Sequence, residues 1–396
     1  MTHPTATVPA PVTRGPRTQC APPAPVRATA AKALAAFAAA RLTGLLVLAA
    51  AAHLTHQDTF RLLGRSWDSR WYTGIAAHGY GRTLYFEPGV VQSDLAFFPL
   101  YPALIRAVTA VTPLSHGAAG LLVSWSAAAA AAVGIYAIGA RLHDRRTATV
   151  LVLLWGLLPH SVILSMAYTE PVLTALAAGS LYALLTGRWI WAGALAALAG
   201  LARPNGLAVA AAVLATALYQ VLRHGGRVSH RLWTGAALAP LGWLGYVLWV
   251  GVREGDPLGG YFAVQRRWGS RFDFGAGSLA FVKHLLLDGD KLVFSMTLVL
   301  VAVAVLLFGL LVAAKAPLPL LVYSGVLLLI TVGGSGFFES KPRFLLPAFP
   351  LLLPLACALV RTARARPGSA ALVVGALAGL SVTYGAYLVV VARMPL

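Results

Sequence analysis

The sequence predicts an all-α polytopic membrane protein: a bundle of about eleven transmembrane helices, with amphipathic surface helices in its first outer loop. Three observations lead there. Of 396 residues, 59% are hydrophobic and only 11% charged, about half the charged share of a typical soluble chain. Apolar runs approaching the roughly 20 residues that cross a bilayer recur between residues 34 and 392. The charges are also sorted. With the N-terminus placed in the cytoplasm, the short inner loops are basic, as the positive-inside rule requires. Eleven of the twelve carboxylates then fall on or near the outer side, Asp144 being the exception.

Residues 1–32 are rich in Pro, Ala and Thr and carry Arg14, Arg17, Arg27 and Lys32. They read as a disordered, basic cytoplasmic tail, leaving residues 33–396 as one transmembrane domain. The run 34–54 is longer than a signal-peptide core and follows that long tail, so it is expected to be a membrane helix. Further spans are expected at 118–140, 147–166, 171–186, 189–202, 206–222, 232–252, 292–314, 318–337, 345–360 and 370–392. Two outer loops are long, 55–117 and 253–291. The short spans 189–202 and 206–222 meet at "ARPNG", where Pro204 and Gly206 break the helix and Arg203 brings a charge. Irregular backbone at membrane depth persists only where protein or a wet cavity surrounds it.

The net charge of +19 is spread between apolar spans, which suits orientation in a bilayer and not nucleic-acid binding. Cys20 and Cys357 form neither a disulfide framework nor a zinc spacing. No phosphate-binding, dinucleotide or zinc-protease motif is present.

In "WDSRWYTGIAAHGY" (67–80), Ser69 to His78 reads as a short helix with Asp68 as its N-cap and Gly79 at its C-terminal end. Asp68, among Trp67, Arg70, Trp71 and Tyr72, is also placed to take a proton from a hydroxyl at the headgroup level. "SDLAFFPLYPALIRAVTAV" (93–111) reads as an interfacial helix, with Tyr101 on its apolar face and Asp94 a solvated loop charge. Glu170 in "AYTEP" sits at a tight outer turn near the bundle mouth, where a lone Glu is ordinarily solvated. Lys341 and Arg343 in "ESKPRF" suit a lipid phosphate, or act as snorkelling anchors. Arg203, at a helix break, is a functional candidate because charge at membrane depth is costly. Asp288-Gly289-Asp290 reads as a loop turn rather than a metal-binding DxD pair.

Together "WDSRWYTGIAAHGY", "AFFPLYPALIR", "AYTEP", "ARPNG" and "RFLLPAFPLL" resemble, in this order, the motifs of the PIG-V-type mannosyltransferases. That family contains the enzyme adding the second mannose of GPI anchors, and it resembles the GT-C class of membrane glycosyltransferases. The resemblance covers about residues 34–360. It departs at Pro171, where the family commonly has Ser, and at Asn205, where it has Thr.

The resemblance implies a polyprenyl-phosphate mannose donor, a lipid or glycan acceptor, an extracytoplasmic active site in the cell membrane and an inverting transfer. It makes Asp68 the catalytic acid residue of the first outer loop. Trp67, Arg70, Trp71, Tyr72, Asp94, Tyr101 and Glu170 become acceptor- or donor-site candidates, and Arg203, Lys341 and Arg343 donor-phosphate candidates. No metal ligand is assigned, although a divalent cation remains compatible with such a transfer. Two readings of other classes are a lipid-linked-sugar flippase, which would need a polar path to the cytoplasmic side, and a non-catalytic membrane scaffold, which would tolerate replacement of Asp68.

Overall fold

The computed structural model describes residues 26–85, 91–289, 291–392 and 394, and they are overwhelmingly helical. Helix α1 (Val26–Leu54) begins before residue 33, so the last residues assigned to the tail are helical; residues 1–25 lie outside the described ones. The first long loop, 55–117, folds into α2 (Thr59–Gly64), N-capped by the Asp58 carboxylate, and α3 (Asp68–His78). A short antiparallel pair follows, β1 (Thr83–Tyr85) with β2 (Val91–Ser93), and then α4 (Leu100–Val111). Helix α4 buries Tyr101, Pro102 and Ile105 on one face and exposes the other, the amphipathic surface helix expected there.

The central bundle comprises α5 (His116–Leu142), α6 (Arg145–Gly156), α7 (Glu170–Leu185), α8 (Trp189–Ala202) and α9 (Leu207–Arg223). The expected span 147–166 ends as α-helix at Gly156. Pro159 cannot continue it, and the chain passes through a 3₁₀ turn at Ser161–Ser165. Pro240 likewise divides the span 232–252 into α10 (His230–Leu238) and α11 (Leu241–Arg253). The second long loop, 253–291, forms α12 (Gly260–Arg267), β3 (Arg271–Phe272) and α13 (Ala276–Asp288); Asp290 lies outside the described residues. Then come α14 (Leu292–Ala313), α15 (Leu318–Gly333), β4 (Gly334–Ser335), α16 (Lys341–Phe344), α17 (Leu353–Ala365) and α18 (Pro367–Ala386), which runs into a π-turn.

Among the described residues, six helical stretches are long and apolar enough to cross a membrane, or seven if α16 and α17, bent by 77°, count as one. The expected count of eleven is therefore not reached. Helices α7, α8 and α15, of 14 to 16 residues, cover about 21–24 Å, less than the hydrocarbon thickness. The outward faces carry exposed apolar side chains such as Leu46, Leu306 and Leu372, suited to lipid.

Where lipid tails compete with side chains, close backbone approach holds helices together. A Cβ on Gly193 of α8 would collide with the carbonyl of Gly235 on α10, and one on Gly206 with that of Ala199. Gly206 thus lets α9 fold back tightly against α8 and leaves Arg203 at the turn between them. Strands β3 and β4 pair antiparallel, Arg271 opposite Ser335, stitching the second long loop to the end of α15.

Candidate active site

Helix α3 starts one residue earlier than expected. Asp68 is its first residue, and the N-cap position belongs to Trp67, in the left-handed region at φ 47°, with no side-chain cap. The carboxylate is therefore not a cap. Its Oδ2 accepts a 2.8 Å hydrogen bond from Arg343 Nη1 of α16, 275 residues away. Gly79 ends the helix as expected, its N–H reaching Ile75 O at φ 79°.

Glu170 is not solvated. It is the first residue of α7, 1% exposed, and ion-paired with both Arg203 Nη1 and Arg343 Nε, the latter at 3.2 Å. Arg203 also donates to Thr169 Oγ1 at 3.0 Å, and the Tyr72 hydroxyl lies 3.2 Å from the same oxygen. Rings hold the guanidiniums flat: Arg343 lies over Tyr168 and Phe344, and Arg203 over Phe344. Two carboxylates and two guanidiniums from four separate segments thus form one balanced cluster, and pairing is what makes buried charge tolerable. Burial raises the Tyr72 phenol above its ordinary range, with Arg203 opposing and Asp68 adding to the shift, so it stays a hydrogen-bond donor.

This cluster forms one wall of a cavity of about 1210 Å³ between the two long loops. Trp67, Asp68, Arg70, Trp71, Tyr72, Arg203, Lys341 and Arg343 all line it. Lys341 is buried, and two of its ammonium N–H groups go to the Thr331 and Gly334 carbonyls. An ammonium has three donors, so one remains.

Asp94 and Tyr101 do not line the cavity. Asp94, expected to be solvated, is 1% exposed and accepts from the backbone N–H groups of Gly81 and Arg82 at 2.8–3.2 Å, pinning the turn after α3. Tyr101 is fully buried, donating to Gly120 O at 2.8 Å beside Ser124 Oγ. Both build the site from behind.

Sequence reasoning assigned nothing in the second outer loop. Trp268, Gln265, Arg266 and Arg271 line the cavity from that side, and Arg82 lines it from the first loop. Trp268 donates to Ser93 O at 2.9 Å, and its ring meets Trp71 edge-on, with centroids 5.2 Å apart. Trp71 in turn stacks on Phe97 and lies beneath Arg82. Aromatic faces beside hydrogen-bonding groups suit sugar rings. The only local signal for this wall was the density of Arg and aromatic residues in "YFAVQRRWGSRFDF". Among the described residues no group of three or more His, Cys, Asp or Glu comes together to hold a metal ion.

The family model described as "Mannosyltransferase (PIG-V)" matches residues 32–224. No curated protein matches the chain in sequence. Among solved structures, it is similar to the Archaeoglobus fulgidus oligosaccharyltransferase in a complex with Zn and sulfate, at 14% identity and a TM-score of 0.48, over 87% of this chain and 53% of that one. A second likeness is to the A. fulgidus oligosaccharyltransferase AglB in complex with an inhibitory peptide and a dolichol-phosphate, at 14% identity and a TM-score of 0.42, over 88% and 55% of the two chains. The chain spans about half the length of these structures. Residues 32–224, which carry Asp68, Glu170 and Arg203, are thus the part of the chain that is similar to the mannosyltransferase (PIG-V) family.

Proposed function

We propose that this chain is a membrane glycosyltransferase that moves a mannosyl group from a polyprenyl-phosphate donor to a hydroxyl of a lipid or glycan acceptor, on the outer face of the cell membrane and with inversion. The observation that carries this reading is the charge of the cavity lining: one carboxylate, Asp68, among seven cations. A single base facing a positive wall is what a transfer from an anionic leaving group needs.

The acceptor oxygen attacks the anomeric carbon and passes its proton to Asp68. Oδ2 is held by Arg343, so Oδ1 takes the proton. The bond between anomeric carbon and phosphate oxygen breaks, and polyprenyl phosphate leaves with the electron pair on the opposite side of the sugar. A β-linked donor therefore gives an α-linked product. Arg203 and Arg343 already face carboxylates. The phosphate accordingly falls to Lys341 and the arginines of the second outer loop, aimed positive groups of the oxyanion-hole kind.

The test is transfer from labelled polyprenyl-phosphate mannose in membranes holding wild type or Asp68→Asn at equal amounts, with linkage analysis of the product. Asp68→Asn is expected to lose about two to four orders of magnitude in rate. Wild-type transfer by that variant overturns the assignment of Asp68. Movement of the intact donor across the bilayer without transfer overturns the transferase reading in favour of a flippase. Titrating a chelator into the same assay reports whether a divalent cation joins the donor phosphate.

A further inference from the structure

We infer that Glu170 is a positioning residue for this transfer: it holds Arg343 so that only one oxygen of Asp68 is bonded, and it balances the charge that would otherwise suppress Asp68 as a base. The inference rests on the transferase reading above.

Among the described residues Arg343 is the one side chain ion-paired with both carboxylates. Its Nε lies 3.2 Å from Glu170 Oε1, an ion pair without hydrogen-bond geometry, and its Nη1 donates to Asp68 Oδ2 at 2.8 Å. Its guanidinium carbon lies over the rings of Tyr168 and Phe344, 5.3 and 5.2 Å from their centroids. Asp68 Oδ1 has no hydrogen-bond partner among the described protein atoms, and the Asp68 side chain is 19% exposed, on the cavity. Glu170 itself is nearly sealed off and does not line the cavity, so it acts through Arg343 and not on substrate.

Without the Glu170 carboxylate, two guanidiniums are left with Asp68 alone. Arginine prefers to grip a carboxylate with two parallel N–H groups. Arg343, released from Glu170, would close on both oxygens of Asp68 and remove the one that receives the proton.

The charged and titratable groups around Asp68 are Arg343, with Glu170 and Arg203 behind it, the phenols of Tyr168 and Tyr72, and Arg70 on its own helix. Taking one negative charge from this set favours the ionised carboxylate. The acidic limb of the rate profile therefore moves to lower pH, while the plateau falls because the base is weaker and doubly bonded.

The experiment is the labelled-donor assay run across pH in purified detergent-solubilised full-length protein, normalised to monodisperse material. Glu170→Gln is expected to lower kcat by about 10- to 100-fold, the usual size when an outer partner of a reacting group is removed. The donor KM should stay near wild type and the acidic limb should move down in pH. Glu170→Asp keeps the charge and should return the limb toward wild type with partial recovery of kcat. Glu170→Gln combined with Arg203→Gln restores charge balance; it should return the acidic limb toward wild type while keeping most of the kcat loss, because Arg343 is still released onto both oxygens of Asp68. Wild-type kcat per folded molecule in Glu170→Gln, or full recovery in the double variant, overturns the inference and makes Glu170 a partner of Arg203 alone. An Asp68→Asn control that transfers normally overturns the transferase assignment instead, so the two failures are distinct.

Discussion

Two sets of ion pairs in this molecule, far apart, are built on opposite principles. At one end Asp144 and Arg364 lie 3.0 Å apart with half of each side chain in solvent. At the other, Asp68, Arg343, Glu170 and Arg203 interlock beside the cavity, with Glu170 and both arginines buried. Helix α5 links the two ends: Ser124 bonds Tyr168 O beside the buried cluster, and Asp144 follows 20 residues on, about 30 Å along the axis. An exposed pair gains little because water competes for both partners. A buried cluster is rarely worth its desolvation as stability. Among the described residues such a cluster stands only beside the one carboxylate that lines the cavity, which is in keeping with the site proposed above.

The largest expected contrast comes from removing one arginine at each end. Arg343→Ala leaves Asp68 and Glu170 facing each other without their shared cation, and breaking a buried pair costs about 3–5 kcal/mol. Arg364→Ala should change stability by no more than about 1 kcal/mol. Thermal unfolding of the two variants in the same detergent measures both. Equal shifts would mean that the buried cluster is solvated in the membrane-bound protein, and the contrast would collapse.

How much of this could be read from sequence differs between the two ends. Asp144 sits before an apolar run and caps α6 through Thr147 N, a local relation. The cluster is not local. Asp68 was singled out by its aromatic neighbours and Arg203 by the helix break, but nothing near either names Arg343 as the partner of Asp68. Glu170 and Asp94 were both expected to be solvated because each occupies a polar turn. Burial there is decided by what packs over the turn, which no period or propensity records. The second outer loop was legible only as a long insertion, since its strand pairing with Ser335 and its Trp268 contact to Ser93 join segments far apart in the chain. The span count failed for a related reason: one helix ends at Gly156, ahead of Pro159, inside an apolar run, and α7, α8 and α15 stop short of the span length.

A smaller effect separates the two aspartates of the first outer loop. Asp94→Asn keeps the shape but loses one carboxylate oxygen and the charge, where the native side chain accepts from two backbone N–H groups. Leaving a buried donor poorly satisfied costs about 1–3 kcal/mol. Asp94→Asn should therefore lower the unfolding temperature while retaining far more transfer activity than Asp68→Asn. A rate loss as deep as that of Asp68→Asn in folded protein would move Asp94 from scaffold to chemistry.

The smallest effect lies at the exposed end and separates cap from ion pair. The Thr147 N–H, at 2.7 Å, is the main cause holding the Asp144 carboxyl below its ordinary range, and Arg364 adds to it. A lowered folded-state value means that this stabilisation is present above the ordinary carboxylate range and is lost as pH falls through the lowered one. Asp144→Asn keeps an N-cap acceptor and should be nearly neutral, whereas Asp144→Ala should cost about 1 kcal/mol. Arg364→Ala should leave most of that acid-sensitive contribution in place. If Arg364→Ala abolished it, the exposed pair would carry the effect after all, and the two ends of the molecule would differ in burial alone.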